Sequence, residues 1–355
     1  MTTRIGQEQR SGGGRRAPGG SATPLSEAYD TALLDLDGVV YAGGEAIAYA
    51  VESLGTARDG GMHLAYVTNN ALRTPDEVAA HLTELGIPAE PGDVVTSAQA
   101  VARLVAEDVP PGSRVLLIGG EGLRVALRER GLDPVESADD DPVAVVQGYG
   151  GPGMPWARFA EAAYAVGRGV PWYASNTDLT IPGARGIGPG NGAAVEVVRI
   201  ATGHAFEPKV AGKPQPPMHR ETVLRTGAAR PLVVGDRLDT DIEGAFNGGV
   251  DSLLVFTGVT DVAQLLRAVP EHRPTYVAED LRGLLVGQPE VVESGDGVFA
   301  CGGWLASVTE GQLVLEGAGA DVMDGVRALC GAAWTAAGDG ACGLDAGKAL
   351  ARLGR

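Results

Sequence analysis

Four short segments of this chain combine residue types that handle phosphate and divalent cations. Asp35-Leu36-Asp37-Gly38 sets two carboxylates one residue apart, directly after a short apolar run. Such a pair is costly to hold together unless a cation or a shared proton relieves it. Gly38 permits the tight turn that would swing Asp37 back toward Asp35. Thr68-Asn69-Asn70 follows the run ending at Val67; a hydroxyl and backbone N–H groups there can hold phosphate oxygens or simply cap a helix. Gly212-Lys213-Pro214 fixes a lysine between two residues of restricted backbone role. Gly235-Asp236-Arg237-Leu238-Asp239-Thr240-Asp241 gathers three acids within six residues after Val233-Val234. Carboxylate oxygens are what Mg²⁺ takes, although acids also collect in the first turn of a helix. Taken singly, each segment has a plain structural explanation.

Each segment lies at the end of an apolar run or in the loop beyond one, and those runs alternate with helical patterns. Residues 31–34, 63–67, 114–118, 143–147, 170–175, 231–235 and 252–256 read as strands. Between them 46–59, 122–131, 156–169, 191–203 and 240–247 read as helices, and Thr74-Pro75-Asp76-Glu77 as a capping box opening another. This alternation predicts an α/β fold with a largely parallel sheet. Ligands of such sheets lie beyond the carboxyl ends of the strands, where the four segments would converge. Residues 1–27, rich in Gly, Ser, Arg and Pro, bury little and are expected to be disordered. From residue 288 the character changes: 298–301 and 312–315 are expected to pair as a hairpin, followed by two Ala/Gly-rich helices.

With 355 residues the chain can hold two domains, each with its own core. A formal net charge of −17 argues against nucleic acid or an anionic membrane as a partner. A phosphate would need cations gathered locally, from lysine or arginine, a metal and backbone N–H groups. Cys301, Cys330 and Cys342 form no CxxC pair, so a reducing, cytoplasmic setting is expected rather than a disulfide scaffold. Neither a signal-peptide core nor an apolar run of about 18 residues is present, so no membrane span is expected.

In their order, Asp-x-Asp-Gly, Thr-Asn-Asn, Gly-Lys-Pro and Gly-Asp-x-x-x-Thr-Asp resemble the motifs of the haloacid dehalogenase superfamily of phosphatases. The long interval between Asn70 and Lys213 is similar to the subfamily whose cap domain lies between the second and third motifs, the NagD-like, p-nitrophenylphosphatase-like and phosphoglycolate phosphatase enzymes. Ser175-Asn176-Thr177-Asp178 and Pro189-Gly190-Asn191-Gly192 look like cap-to-core signatures of that group, and the likeness runs from Tyr29 to Leu285. With its C-terminal extension, the chain most resembles the actinobacterial enzymes assigned to glycerol 3-phosphate. The resemblance implies a Rossmann-like core (28–100 and 203–287), an inserted α/β cap of C2 type (101–202) and a small α+β appendage (288–355).

It also implies roles. Asp35 would attack phosphorus and carry an aspartyl-phosphate, while Asp37 would act as general acid and then base. Asp35 and Asp236, with the main-chain carbonyl of Asp37, would hold Mg²⁺. Thr68, the Asn69 backbone, Asn70 and Lys213 would bind the phosphoryl oxygens, and Asp241 would orient Lys213 or a metal-bound water. The cap would select the substrate through the loop carrying Thr180 and Ile181. Because Ile181 offers neither charge nor hydrogen bond, a small leaving group such as glycerol or glycolate is expected; Arg237 reaches either substrate or solvent. A homodimer is implied by analogy only. Two other readings stay open: a nucleotide or sugar phosphatase of the same superfamily, and a receiver-type phosphorylation switch. The switch has its acidic pair on a different strand and carries no cap-sized insert. Gly119-Gly120-Glu121-Gly122 lacks the G-x-G-x-x-G spacing and reads as a turn.

Overall fold

The computed structural model describes residues 15–183, 186–340 and 343–355. Thr31–Leu34 is buried at every position, which only a strand covered on both faces allows. It lies inside a six-stranded sheet whose order is Tyr276–Ala278, Asp251–Val255, Pro231–Gly235, Thr31–Leu34, His63–Thr68, Val94–Thr96. Every pairing in it is parallel. Alternate residues feed opposite faces, as the pleat requires. Leu34, Leu64, Tyr66, Leu232 and Val234 join one apolar layer, and Leu33, Ala65, Val67 and Val95 join the other. From Thr31–Leu34 the chain runs first to His63–Thr68 on one side and returns later as Pro231–Gly235 on the other. Asp35 therefore leaves the sheet where the strand order reverses, at the crevice this topology opens to ligands.

A second parallel sheet of five strands forms the cap, in the order Lys209–Val210, Trp172–Ala174, Ala144–Gln147, Arg114–Ile118, Asp133–Val135. The expected return to the core at 203 is thus too early. Lys209 pairs with Tyr173, and Val210 packs against the cap cluster of Trp172, Val195 and Val198. Cap and core share apolar material through the helix Ser97–Asp108, whose Ala98, Val101 and Val105 join Leu33 and Val67 to Val115 and Leu117.

Two other expectations are corrected. Of the segment 1–27, residues 1–14 lie outside the described residues, but 15–27 are placed on the core. Gly19 N–H donates to the Thr275 carbonyl at 2.7 Å, Arg15 pairs with Asp251 at 2.8 Å, and Leu25 is buried in the helix Leu25–Ala28. The next residue, Gly20, lies against Glu290, where a Cβ would stand at 2.9 Å. In the appendage, 298–301 and 312–315 do not pair with each other. The strand Trp304–Thr309 lies between Phe299–Cys301 and Gln312–Gly317, in an antiparallel sheet of four. The helices Val322–Ala337 and Gly347–Leu353 follow, and Cys342 is outside the described residues.

This appendage is fused to the catalytic core. Phe299, Trp304, Leu329 and Trp334 share one buried cluster with Leu254, Leu265 and Val277 of the core. The guanidinium of Arg327, 4% exposed, donates to Asp324, to the Val277 carbonyl and to Gln288. Trp334 Nε1 donates to the Leu265 carbonyl at 3.0 Å.

Candidate active site

Asp35 follows its strand directly, and its N–H donates to the Val234 carbonyl at 2.9 Å, extending the sheet by one residue. The chain then turns: the N–H groups of Val39, Val40 and Tyr41 converge on the Leu36 carbonyl, and Gly38 takes φ +88°. Gly38 is also needed for space, because a Cβ there would stand 2.7 Å from an Asp236 oxygen. A Cβ on Gly258 would stand 2.0 Å from the same carboxylate. Two loops without side chains thus close around Asp236.

Lys213 is the pivot. Its Nζ donates to Asp35 Oδ1 at 2.6 Å, to Asp241 Oδ1 at 2.8 Å and to the Val67 carbonyl at 3.1 Å. Burial works against its charge, but Asp241 and Asp35 more than compensate and raise its pKa, so it remains an ammonium. The acids feel the same burial. It raises Asp35 against the opposing pull of Lys213. Asp236 is pushed up to about 7 by burial, then by repulsion from Asp35 and Asp241. Asp241 rises to about 6 by burial, with Lys213 opposing. Burial also raises Asp37, against the fields of Arg73 and Lys213.

Carboxylate oxygens of Asp35, Asp236 and Asp241 lie within 4.8 Å of one another, close enough to share a cation. Their commitments differ. Both oxygens of Asp241 are taken, one by Lys213 and one by the Arg237 N–H. Asp236 Oδ2 accepts from the Val259 N–H, but its Oδ1 is buried with no partner. An orphaned carboxylate oxygen facing two more acids fits a hard divalent cation. The Asp37 carboxylate does not belong to this cluster, consistent with a contribution from its main chain instead.

Thr68 ends its strand, 5% exposed, and accepts from the Asn70 N–H at 3.1 Å. Asn70 Oδ1 is itself committed, accepting from the N–H groups of Leu72 and Arg73. Asn69 does something the sequence does not announce. Its amide embraces the Lys213 main chain and also donates to Asp178 of the cap at 3.1 Å. Its carbonyl accepts from Asn176 Nδ2 at 2.7 Å. Gly212 makes room, since a Cβ there would meet the Ser175 carbonyl at 2.4 Å and Asn69 Oδ1 at 2.6 Å.

These residues bound a cavity of about 290 Å³ between core and cap, small for a ligand site. Asp35, Asp37, Thr68, Asn69, Asn70, Lys213 and Asp236 line its core side, and Thr180 and Ile181, on the hairpin Thr180–Gly183 and Gly186–Pro189, its cap side. Asp241 lies behind Lys213, outside this lining. Arg237 is in the wall, with two of its nitrogens held by Asp239 at 3.0 and 2.8 Å. Sequence reasoning passes over Tyr149, and over Thr257 to Val259, which follow an apolar strand and carry no charge. It also assigns no site role to Asn176, Asp178 or Asn191, although the two segments that carry them stand out.

Comparison with known proteins agrees with this geometry. Residues 32–133 match the model of haloacid dehalogenase-like hydrolases and 210–284 that of HAD-hydrolase-like domains. Residues 301–354 match a GCN5-related N-acetyltransferase like domain. D-glycerol 3-phosphate phosphatase of Mycobacterium tuberculosis is 48% identical over 260 residues, 73% of this chain and 72% of that protein. An acid sugar phosphatase of Staphylococcus haemolyticus is 37% identical over 71% of this chain and 94% of its own length. Among solved structures, the glycerol phosphate phosphatase of M. tuberculosis in complex with magnesium superposes with a TM-score of 0.83 at 42% identity. That match covers 93% of this chain and 99% of the other, so it takes in the appendage. The chain belongs to the haloacid dehalogenase-like hydrolase family, as a phosphatase.

Proposed function

We propose that this enzyme is a Mg²⁺-dependent phosphatase of small phosphate monoesters, glycerol 3-phosphate before 2-phosphoglycolate, acting through an aspartyl-phosphate on Asp35. One observation carries the reading: Lys213 bridges Asp35 and Asp241 at 2.6 and 2.8 Å beside the unpartnered Asp236 oxygen, at the floor of a cavity roofed by the cap.

Asp35 attacks phosphorus as the bond to the leaving oxygen breaks, and Asp37 gives its proton to the departing alkoxide. Asp37, now a carboxylate, takes a proton from the water that attacks the aspartyl-phosphate. Phosphate leaves, Asp35 is an anion again and Asp37 is again protonated. Burial raises Asp37 above the ordinary carboxylate range, which suits a group that starts as the acid. Lys213, Thr68 and the Asn69 backbone hold the phosphoryl oxygens. Asp35, Asp236 and the Asp37 carbonyl would hold Mg²⁺, which neutralises charge on the phosphoryl group when bound.

The wall favours a neutral leaving group. Its cations are Lys213, engaged by two carboxylates, and Arg237, engaged by Asp239. A glycolate carboxylate would have to share Arg237 with Asp239, whereas glycerol requires no cation. Relatives named for acid sugars and 5′-nucleotides keep larger substrates in view, but the volume fits a small ester better. The buried free thiols Cys301 and Cys330 accord with a cytoplasmic setting. Exposed Leu179, Ile187 and Ile200 on the cap would support a cap-to-cap homodimer, which light scattering would test. Among the described residues no helix is long and apolar enough to cross a membrane.

Initial rates of phosphate release from glycerol 3-phosphate, 2-phosphoglycolate, a hexose phosphate and a nucleoside monophosphate test the substrate reading. Glycerol 3-phosphate should show the highest kcat/KM; a nucleotide or sugar in first place would overturn it.

A further inference from the structure

The cap sheet delivers Lys213 to the site. The strand Lys209–Val210 is the edge of that sheet and pairs with Tyr173 and Ala174; the Ala211 N–H continues the ladder to the Ala174 carbonyl at 3.0 Å. Gly212 and Lys213 follow at once, and the core helix Pro216–Thr226 begins just beyond them. The lysine therefore stands on a short span between a cap strand and a core helix. A tilt of the cap against that helix would pull on the span and draw the ammonium away from Asp35, which it meets at 2.6 Å.

Glu221 opposes such a tilt. It lies on the core helix, is 0% exposed, and its carboxylate accepts from Arg103, Arg130 and Arg225. Arg225 belongs to the same helix, and Arg103 to the helix Ser97–Asp108 that links core and cap. Arg130 closes the cap helix Glu121–Glu129 and donates through Nη2 at 2.9 Å. Burial pushes the Glu221 carboxyl up, but Arg103 and Arg225 more than offset it and hold it below the ordinary range. The node is thus ionised, and bonds between charged partners are the strong ones. Asp108 makes a second clasp, accepting from Lys209 Nζ and Tyr173 Oη at 2.7 Å each, but its pair with Lys209 is more exposed and so weaker. The apolar layer shared by cap and core holds them together without fixing an angle, because apolar contact is non-directional. Directional bonds from Glu221 supply the angle.

We infer that Glu221 and Arg130 are positioning residues for the reaction: by tying the cap to the helix that follows Lys213, they fix the ammonium against Asp35. Neither residue lines the catalytic cavity, so their influence on the reaction passes through Lys213. The inference rests on the phosphatase reading above, which gives Lys213 its work, and adds the tie that holds it in place.

Arg130→Met tests this with the least damage: it cuts the tie to the cap helix, keeps an apolar stem, and leaves Glu221 with Arg103 and Arg225. Arg124→Met is the control, since Arg124 lies on the same cap helix but pairs only with Glu121 and Glu136 of the cap. Hydrogen exchange should show faster deuterium uptake in a peptide containing residues 209–213 for Arg130→Met and not for Arg124→Met. In parallel, kcat/KM for glycerol 3-phosphate should fall about tenfold in Arg130→Met alone, as it does when a group at a reacting centre is slightly displaced. Arg130→Lys, which keeps a charged donor, should recover part of both losses. Unchanged uptake in Arg130→Met, an equal effect of the two Met variants, or faster uptake with unchanged kcat/KM would each overturn the inference. A wild type that releases no phosphate from any ester would instead count against the reading on which it rests; the exchange comparison, which needs no turnover, would still decide whether Arg130 steadies the span that carries Lys213.

Discussion

Asn69 and Lys213 are joined twice: the Lys213 N–H donates to Asn69 Oδ1 at 2.8 Å, and Asn69 Nδ2 donates to the Lys213 carbonyl at 3.1 Å. The second motif thereby sets the main chain of the third, and with it the path of the Lys213 side chain to Asp35. The same amide also holds Asp178, so one residue couples the position of the ammonium to the seating of the cap. Asn69→Ala should lower kcat/KM at least about tenfold and cost about 1–3 kcal/mol of stability, since it leaves buried main-chain groups unpaired. Urea unfolding with phosphate-release kinetics checks both. An unchanged rate would show that Lys213 is placed without Asn69.

Lys213 also holds two buried acids together. Lys213→Met should destabilise the protein by about 3–5 kcal/mol, because Asp35 and Asp241 lose their counter-charge. Adding Asp241→Asn should restore part of that stability and none of the activity. If the double variant is no more stable than the single one, charge balance is not what the lysine supplies to the fold.

Asp236 gives a pH signature. Its pKa near 7, raised chiefly by burial, lies above the ordinary value of about 3.9. The folded state then holds the proton more tightly than the unfolded chain. The resulting stability is complete below about pH 4 and is lost as pH rises through about 7. In EDTA, Asp236→Asn should gain Tm relative to wild type between pH 5 and 8. Mg²⁺ at pH 8 should reverse the order, since only wild type has the full ligand set. A Tm difference that ignores both pH and Mg²⁺ would contradict this.

The appendage makes a structural prediction. Truncation after residue 287 would bare Leu254, Leu265 and Val277, whose cover comes from Leu329 and Trp334. The truncated chain should be insoluble or markedly less stable. Arg327→Ala, which leaves Asp324 and the Val277 carbonyl without their donor, should cost about 3–5 kcal/mol in the full chain. A soluble truncation with unchanged Tm would make the appendage an independent module.

Much of the core and floor could be read from the sequence, because buried parallel strands are continuous apolar runs and three of the four site motifs end one of them; Lys213 follows the short, partly exposed Lys209–Val210 instead. Thr74 and Glu77 form the expected reciprocal cap. What escaped had weaker local signals. The strand Trp304–Thr309 mixes buried, half-buried and exposed positions instead of forming a continuous apolar run, so the hairpin expected of 298–301 and 312–315 skips it. Gly19 and Gly20 have linker composition, yet Gly19 bonds to Thr275 of the core and Gly20 lies against Glu290 without room for a Cβ. Asn69 carries its meaning in a partner 144 residues away. No spacing rule reveals such a partner. Spacing alone makes Asp241 one acid near two others; the resemblance gives it Lys213 or a metal-bound water to orient, and in the structure it bonds Lys213 and the Arg237 N–H.

The central claim is that Asp35 becomes covalently phosphorylated. Wild type mixed with glycerol 3-phosphate and Mg²⁺, acid-quenched during turnover and digested, should yield a peptide spanning Asp35 with one phosphoryl mass increment. Asp35→Asn should show neither the adduct nor turnover, although it keeps the fold. Phosphate release by Asp35→Asn at the wild-type rate, or an adduct on another residue, would contradict the account.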